Sequence, residues 1–282
     1  MKKILFLIIS LFVLITSCER EVNNVSLPDF VQKLVINSFI SPNDTVSFVS
    51  IASNERIFGE LNKKETLGNL NVTISNDVKE ISLEKVTDAY VFRPEDILVE
   101  EGKTYRIKVT SDKGLTAEAT CTVPMSRNFH LEADTLWENQ EIPGTESLNM
   151  IRANVYLTDY PGEANYFRFA AKILIYDSEY GYLPEFSSYG EKPAFFSDEG
   201  RDGERIFVNT LTVAPFSESD SAFIIFYILN TDKAYYTYHR SLDNYSSGEN
   251  PFTEISPVYS NVEGGLGIFA SYVVDSLAFR LK

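Results

Sequence analysis

From Leu115 to Val123 the chain alternates without interruption: Leu115, Ala117, Ala119, Cys121 and Val123 fall on one side, and Thr116, Glu118, Thr120 and Thr122 on the other. A period of two is the period of a strand, so the five apolar groups share one face of a sheet. Upstream, Tyr105-Arg106-Ile107-Lys108-Val109 alternates in the same way, and Ser111-Asp112-Lys113-Gly114 lies between the two runs. Those four residues are turn formers, and the whole reads as a hairpin. Cys121 on the apolar face is a small core hydrophobe. To act as a nucleophile it would need a nearby base, and His130 and His239 are the two histidines of the chain.

The same signature recurs over 34–40, 45–51, 70–75 and 80–86, with turn sequences at Ser41-Pro42-Asn43-Asp44 and Ser75-Asn76-Asp77. Six or seven short alternating strands within about ninety residues predict a β-sandwich over 33–124. Leu98-Val99-Glu100-Glu101-Gly102-Lys103-Thr104-Tyr105 resembles the tyrosine corner of immunoglobulin and fibronectin-type sandwiches, in which the phenol bonds back to the main chain. Residues 125–147, with Trp137, read as a linker and the first strand of a second β-sandwich-like domain, 148–282. There, Ile151, Ala153, Val155 and Leu157 alternate, and the unbroken apolar run 222–229 predicts a strand buried on both faces. Thr231 or Asp232 opens a short helix, about 232–245. It carries Tyr235, Tyr238, Leu242 and Tyr245 as one packing stripe. The closing stretch predicts strands over 268–274 and 276–281, which makes the fold class all-β with one short helix.

The N-terminus has a different character. Lys2 and Lys3 precede the apolar run from Ile4 to Ile15, which is too short for a comfortable membrane span and ends in Leu14-Ile15-Thr16-Ser17-Cys18. An aliphatic residue, two small ones and a cysteine resemble the lipobox of lipoprotein signal peptidase. The expectation is a signal peptide over 1–17, lipidation of Cys18 and a polar tether over 18–32. Several acyl chains at about 0.8 kcal/mol per buried CH₂ hold such a chain stably in a bilayer. With Cys18 acylated, Cys121 has no partner for an intramolecular disulfide. The acidic start of the tether, Glu19-Arg20-Glu21, resembles export signals of Bacteroidota surface lipoproteins, pointing to the outer membrane and its cell-surface face. Loss of Lys2 and Lys3 takes the formal net charge from −15 to −17. A chain this acidic does not seek nucleic acid or anionic headgroups.

Several blocks together resemble one family. They are Lys33-Leu34-Val35-Ile36-Asn37-Ser38-Phe39-Ile40-Ser41-Pro42, Gly102-Lys103-Thr104-Tyr105, Asn165-Tyr166-Phe167-Arg168 and Phe196-Ser197-Asp198-Glu199. Tyr235-Tyr236-Thr237-Tyr238-His239-Arg240-Ser241-Leu242 and Tyr259-Ser260-Asn261-Val262-Glu263-Gly264-Gly265-Leu266-Gly267-Ile268-Phe269 complete the set. In that order they resemble the Bacteroidota lipoproteins catalogued as domain of unknown function 4249. Members tend to be encoded beside TonB-dependent outer-membrane receptors. The resemblance therefore implies a non-enzymatic accessory or ligand-binding subunit of such a transporter, and it supplies no catalytic residues.

The chemistry legible in single residues is sparse. Asp198-Glu199-Gly200-Arg201-Asp202-Gly203-Glu204 has the oxygen ligands of a calcium loop but fails the EF-hand register, leaving Asp198 and Asp202 as a weak candidate pair in a solvated turn. The histidines and Cys121 are too scattered for zinc, and Gly-x-Ser-x-Gly, Walker and His-Glu-x-x-His motifs are missing, so no cofactor is expected. A surface hydrolase acting on glycan or peptide is the first rival reading, and a structural or adhesion protein the second. The connection 177–205 exceeds the usual ceiling of about 12–15 residues for a structureless loop. Its Tyr180, Tyr182, Phe186 and Tyr189 are the candidate contacts for ligand or partner. Metabolic labelling with a fatty acid is expected to mark the wild-type chain and not Cys18→Ser, which should leave the membrane. Labelling that persists in the variant overturns the anchor.

Overall fold

In the computed structural model, the described residues are 29–55, 66–126, 130–140, 148–177, 181–182, 186–188, 194–213, 221–246 and 257–280. Nearly all of them fall in one unit formed by Gln32–Asn54 and Glu65–Lys282. The first half of the chain forms β1 (Leu34–Ile40), β2 (Ser47–Ser53), β3 (Leu70–Ser75), β4 (Glu80–Ser82), β5 (Glu84–Val86), β6 (Ala89–Phe92), β7 (Thr104–Ser111) and β8 (Thr116–Thr122). The hairpin at Gly114 is present: β7 and β8 pair antiparallel, with Tyr105 opposite Cys121 and Val109 opposite Ala117. Every second residue of β8, Ala117, Ala119 and Cys121, is buried. The single strand expected over 80–86 divides instead at Leu83. β4 pairs with β3 and β5 pairs with β6, so the chain passes here from one sheet to another. Burying Leu83 between the sheets requires that crossing, and its N–H is satisfied by Val72 O at 2.8 Å.

The second half adds β9 (His130–Gln140), β10 (Leu148–Thr158), β11 (Tyr166–Asp177), β12 (Gly181–Tyr182), β13 (Phe186–Ser188), β14 (Phe195–Ser197), β15 (Arg205–Val213), β16 (Ser221–Thr231), α1 (Lys233–Ser246) and β17 (Leu266–Arg280). Three sheets result. One has four strands in the order β4-β3-β7-β8, and one has three in the order β15-β10-β9. The third has ten, running β12-β11-β16-β17-β1-β2-β6-β5 with β13 and β14 also on β11. The two strands expected after Gly267 are one. β17 pairs parallel with β1 through its first residues and antiparallel with β16 through the rest, so the large sheet continues through both halves of the chain.

Side-chain parity on β17 explains the layering. Phe269 and Val273 join the core between the large sheet and the four-stranded sheet, with Ile36, Ile107 and Cys121. Further along the same face, Leu277 and Phe279 pack on the second core, with Val155, Phe169 and Phe226, beneath the three-stranded sheet. Ile268 and Ala270 point the other way, into a third cluster with Tyr235 of α1. β16 follows the same logic and corrects the expectation of burial on both faces: Ile224, Phe226 and Ile228 are fully buried, while Phe223, Ile225, Tyr227 and Leu229 are half-buried. One face has a whole sheet over it, whereas the other shares a helix. Gly267 is needed for the β1–β17 contact. It has φ of 105°, and a Cβ there would stand 1.9 Å from Ile36 O.

The connection 177–205 is not one long loop. β12, β13 and β14 pair one after another against β11, placing Tyr182 opposite Tyr176, Phe186 opposite Ile173 and Phe196 opposite Phe167. An interrupted edge strand satisfies backbone groups that β11 would otherwise leave open. The tyrosine corner also forms: Tyr105 Oη donates to Leu98 O at 2.7 Å and accepts from Glu100 N at 2.9 Å. Tyr105→Phe strands both main-chain groups in a half-buried site, and is expected to cost about 1–3 kcal/mol. Urea unfolding measures this as a lower midpoint with an unchanged slope, and an unchanged midpoint contradicts the role given to the phenol.

Candidate functional site

Two loops meet at the end of the second core, one between β10 and β11 and the other between β14 and β15. Asp159 from the first and Asp198 and Asp202 from the second each place a carboxylate oxygen within 4.8 Å of the others. Asp159 and Asp198 are buried and Asp202 is exposed. Three like charges this close are held by N–H donors. The Asn165 side-chain amide donates to Asp159 Oδ1 at 3.2 Å and to Asp198 Oδ2 at 3.3 Å, and its main-chain N–H donates to Asp198 Oδ2 at 2.9 Å. Gly203 N–H donates to Asp159 Oδ2 at 3.0 Å, and Gly162 N–H to Asp202 Oδ1 at 2.9 Å. Burial pushes the Asp159 carboxyl up, the Gly203 N–H pulls it back, and the charge of Asp198 pushes it up again. The spacing suits a hard cation with oxygen ligands at about 2.3–2.6 Å. The oxygens already serve as acceptors for main-chain and amide donors, so the cluster works as a clamp between the loops. Asp198 and Asp202 were legible as a local pair, but Asp159 has no local signal, because only the apposition of the loops brings it in.

A second polar centre fixes α1. Asp232, just before the helix, accepts from Tyr235 N at 2.7 Å through Oδ1 and from Ser271 N at 2.8 Å through Oδ2. This is an N-cap that also grips a strand. Ser271 Oγ lies 2.9 Å from the same carboxylate oxygen and 3.0 Å from Thr122 O, tying β8 into the contact. Burial raises Asp232 to about 6 despite these bonds. Cys121 lies beside this pair, and burial, followed by the charge of Asp232, pushes its thiol well above the ordinary value. That disfavours the thiolate a nucleophile requires.

The first turns of α1 sit in an aromatic seat. His239 stacks on Tyr235 with centroids 4.2 Å apart and on Phe195 at 5.2 Å, with Phe39 also at 5.2 Å. Its Nδ1 is 3.0 Å from Tyr235 O, and burial holds its pKa below the usual value. The ring is therefore a neutral packing group whose Nδ1–H donates to that carbonyl. Arg168 Nη1 donates to Tyr235 Oη at 2.6 Å, and its guanidinium stands 5.2 Å from the centre of the Phe195 ring. The stripe expected along α1 holds only in part. Tyr235 is buried, Tyr238 and Leu242 are half-buried, and Tyr245 is 56% exposed. The seat, built from Phe39, Phe195 and Tyr272, reaches only the first half of the helix.

Of the other residues singled out from sequence, Cys18, Tyr180 and Tyr189 lie outside the described residues. Tyr182 and Phe186 belong to β12 and β13, on the edge of β11.

A family model described as "Domain of unknown function (DUF4249)" matches residues 20–278. The chain belongs to this family. No curated relative matches it in sequence. Among solved structures, a trypsin-activated alpha-2-macroglobulin from Escherichia coli is similar over 75% of this chain at 9% identity and a TM-score of 0.25. The chain spans only 15% of that protein's length. The B domain of a biofilm-associated protein is similar over 86% of this chain and 85% of its own length, at 6% identity and a TM-score of 0.18. The blocks through which the sequence resembles DUF4249 meet in space. Asn165 meets Asp198, and Arg168 meets Tyr235. In the last block, Asn261 Nδ2 donates to Phe269 O at 2.7 Å and its Oδ1 accepts from Phe269 N at 3.0 Å, while Glu118 and Glu263 exchange main-chain bonds. That block fastens β8 and β17 together.

Asp232 makes stability depend on pH with a definite sign. Its folded value of about 6 lies above the ordinary 3.8, so between them the folded chain holds a proton that the unfolded chain has released. Stability from this group is complete below the unfolded value and is lost as pH rises through 6. Unfolding by urea across that window is expected to show the decline in wild type and a flatter profile in Asp232→Asn. Parallel profiles would contradict the assignment.

Proposed function

We propose that this chain is a lipid-anchored protein of the outer membrane, displayed on the cell-surface face, that works by binding. It serves a TonB-dependent transporter as an accessory or ligand-binding subunit. The observation that carries the reading is Leu14-Ile15-Thr16-Ser17-Cys18 at the end of an apolar leader, followed by an acidic tether. Resemblance to Bacteroidota lipoproteins encoded beside such receptors supports the choice of partner. The arrangement of polar groups supports binding over catalysis. Asp159, Asp198, Asp232 and Asn261 direct their oxygens at main-chain donors. His239 is enclosed by aromatic rings, and His130 is an exposed residue 3.4 Å from Glu132.

Pull-down of the lipidated chain from outer membrane solubilised in detergent tests this. The neighbouring receptor is expected to co-purify with the wild type. A variant carrying Tyr182→Ser, Phe186→Ser and Tyr189→Ser, shown by circular dichroism and melting to be folded, is expected to lose it. A wild-type chain that recovers no receptor overturns the transporter role, and a folded triple variant that recovers it in full removes this edge from the interface. Turnover of a glycan or peptide that is abolished by one carboxylate substitution decides for a hydrolase instead.

A further inference from the structure

The face of the large sheet opposite the two cores is covered by α1 only in part. Beside the helix, across β17, β1 and β2, runs an open groove of about 540 Å³. Three aromatic rings from three adjacent strands line it: Tyr272, Phe39 and Phe48. Phe39 is opposite Ala270 in the β1–β17 ladder, two residues from Tyr272 on the same face, and Phe48 is on the next strand out. With strands about 4.8 Å apart, the row extends roughly 10 Å. Phe39 is packed against Tyr235 of the helix at 5.1 Å and forms a floor, whereas Phe48 is 58% exposed. Single exposed hydrophobic residues are ordinary on a protein surface. Phe48 differs in standing over a groove that combines the apolar Phe39, Val46 and Tyr272 with the polar Asn37, Asp44 and Ser50.

Asn37 and Ser50, opposite each other in the β1–β2 ladder and both exposed, supply an amide and a hydroxyl. Asp44 supplies a carboxylate, which accepts a hydrogen bond from Tyr272 Oη at 3.2 Å. Burial raises the Tyr272 phenol, and the neighbouring Asp44 charge raises it further, so that it remains a fixed donor. The lining includes that one carboxylate and no lysine, arginine or histidine. An anionic ligand would find no counter-charge here, on a chain that is strongly acidic overall. An extended peptide is read through the open edge of a sheet, and the groove lies on a face with β1 paired on both sides. Flat apolar rings flanked by an amide, hydroxyls and a carboxylate instead match the alternating C–H faces and hydroxyl edges of a sugar.

We propose that this groove is a binding site for a neutral saccharide chain, with Phe48 as the stacking platform and Asn37, Ser50 and Asp44 as hydroxyl partners. This gives a ligand class to the binding role proposed above and rests on that reading only for its physiological setting, since the groove is a property of the chain alone.

Isothermal titration calorimetry tests the proposal on the full lipidated chain, held in a detergent without a sugar headgroup. The probes are malto-, cello-, xylo-, manno- and chito-oligosaccharides, with oligogalacturonate as the anionic comparator. At least one neutral oligosaccharide is expected to bind, and oligogalacturonate is not. Phe48→Ala, a change at an exposed position, is expected to weaken binding about tenfold or more, and Phe48→Tyr to retain it. Failure of every neutral probe, equal binding of oligogalacturonate, or wild-type affinity in folded Phe48→Ala each overturns the site. The receptor pull-down fails or succeeds separately: saccharide binding without receptor recovery removes the transporter role and leaves the groove, and the reverse removes the groove alone.

Discussion

β17 has two neighbours, and each covers only part of it. Residues up to Ser271 pair with β1, and residues from Tyr272 onward pair with β16. A strand of 15 residues reaches about 50 Å, between two and three times the length of an ordinary strand, and can therefore belong to two cores. The difficulty lies in the half-ladders, because each edge of β17 has main-chain groups that its neighbour does not reach. Side chains continue the ladders. On the β16 edge, Asp232 accepts from Ser271 N, and Asn261 both donates to and accepts from Phe269, two residues along. On the β1 edge, Asn43 accepts from Val274 N. Three side chains from three loops thus imitate strands at the point where the chain changes partners.

This accounts for the form of the final sequence block. Asn261 must reach Phe269 across the turn between them, and Gly264 to Gly267 allow the backbone to pass close to β1 and β8. A Cβ at Gly264 would stand 2.5 Å from Thr116 O, and one at Gly265 2.6 Å from Leu34 O. Asp232 is involved in the same junction and also caps α1, so the helix, the strand exchange and β8 are fixed through one carboxylate. Its raised pKa reflects the burial that this role demands, a desolvation cost that its hydrogen bonds offset only in part.

The parts of the fold legible in the sequence are those governed by local period. β1 and β3 occupy the expected residues, the β7–β8 hairpin turns at Gly114, and Tyr105 makes the corner. What the period could not reveal depends on partners. Leu83 lies in the middle of an alternating run and gives no local sign that the chain changes sheets there. The apolar run of β16 has the composition of a doubly buried strand, yet the half-cover on one face comes from α1, set by the Asp232 cap. The edge strand within 177–205 is broken into pieces of two or three residues, too short to show a period. At the candidate sites, Asp198 and Asp202 are sequence neighbours and could be paired by eye. Asp159 reaches them through tertiary apposition, as Phe48, Phe39 and Tyr272 come from three strands to line one groove.

Both smaller sheets cover the same face of the large one, and this decides where recognition can occur. On that face Asn165 and Asp159 clamp loops, Tyr105 holds a crossover, and Cys121 fills space. On the opposite face the cover among the described residues is α1, whose aromatic seat ends after its first half because Phe39, Phe195 and Tyr272 extend no further. The exposed remainder begins where Phe39 leaves the helix seat, so one ring both supports α1 and floors the groove. Stability and surface chemistry are therefore coupled through Phe39 and Tyr272, whereas Phe48, Asn37 and Ser50 stand outside the packed seat and can vary without disturbing it. A sheet built this way can keep its cores and its partner-switching strand fixed while its exposed half-face is altered one residue at a time.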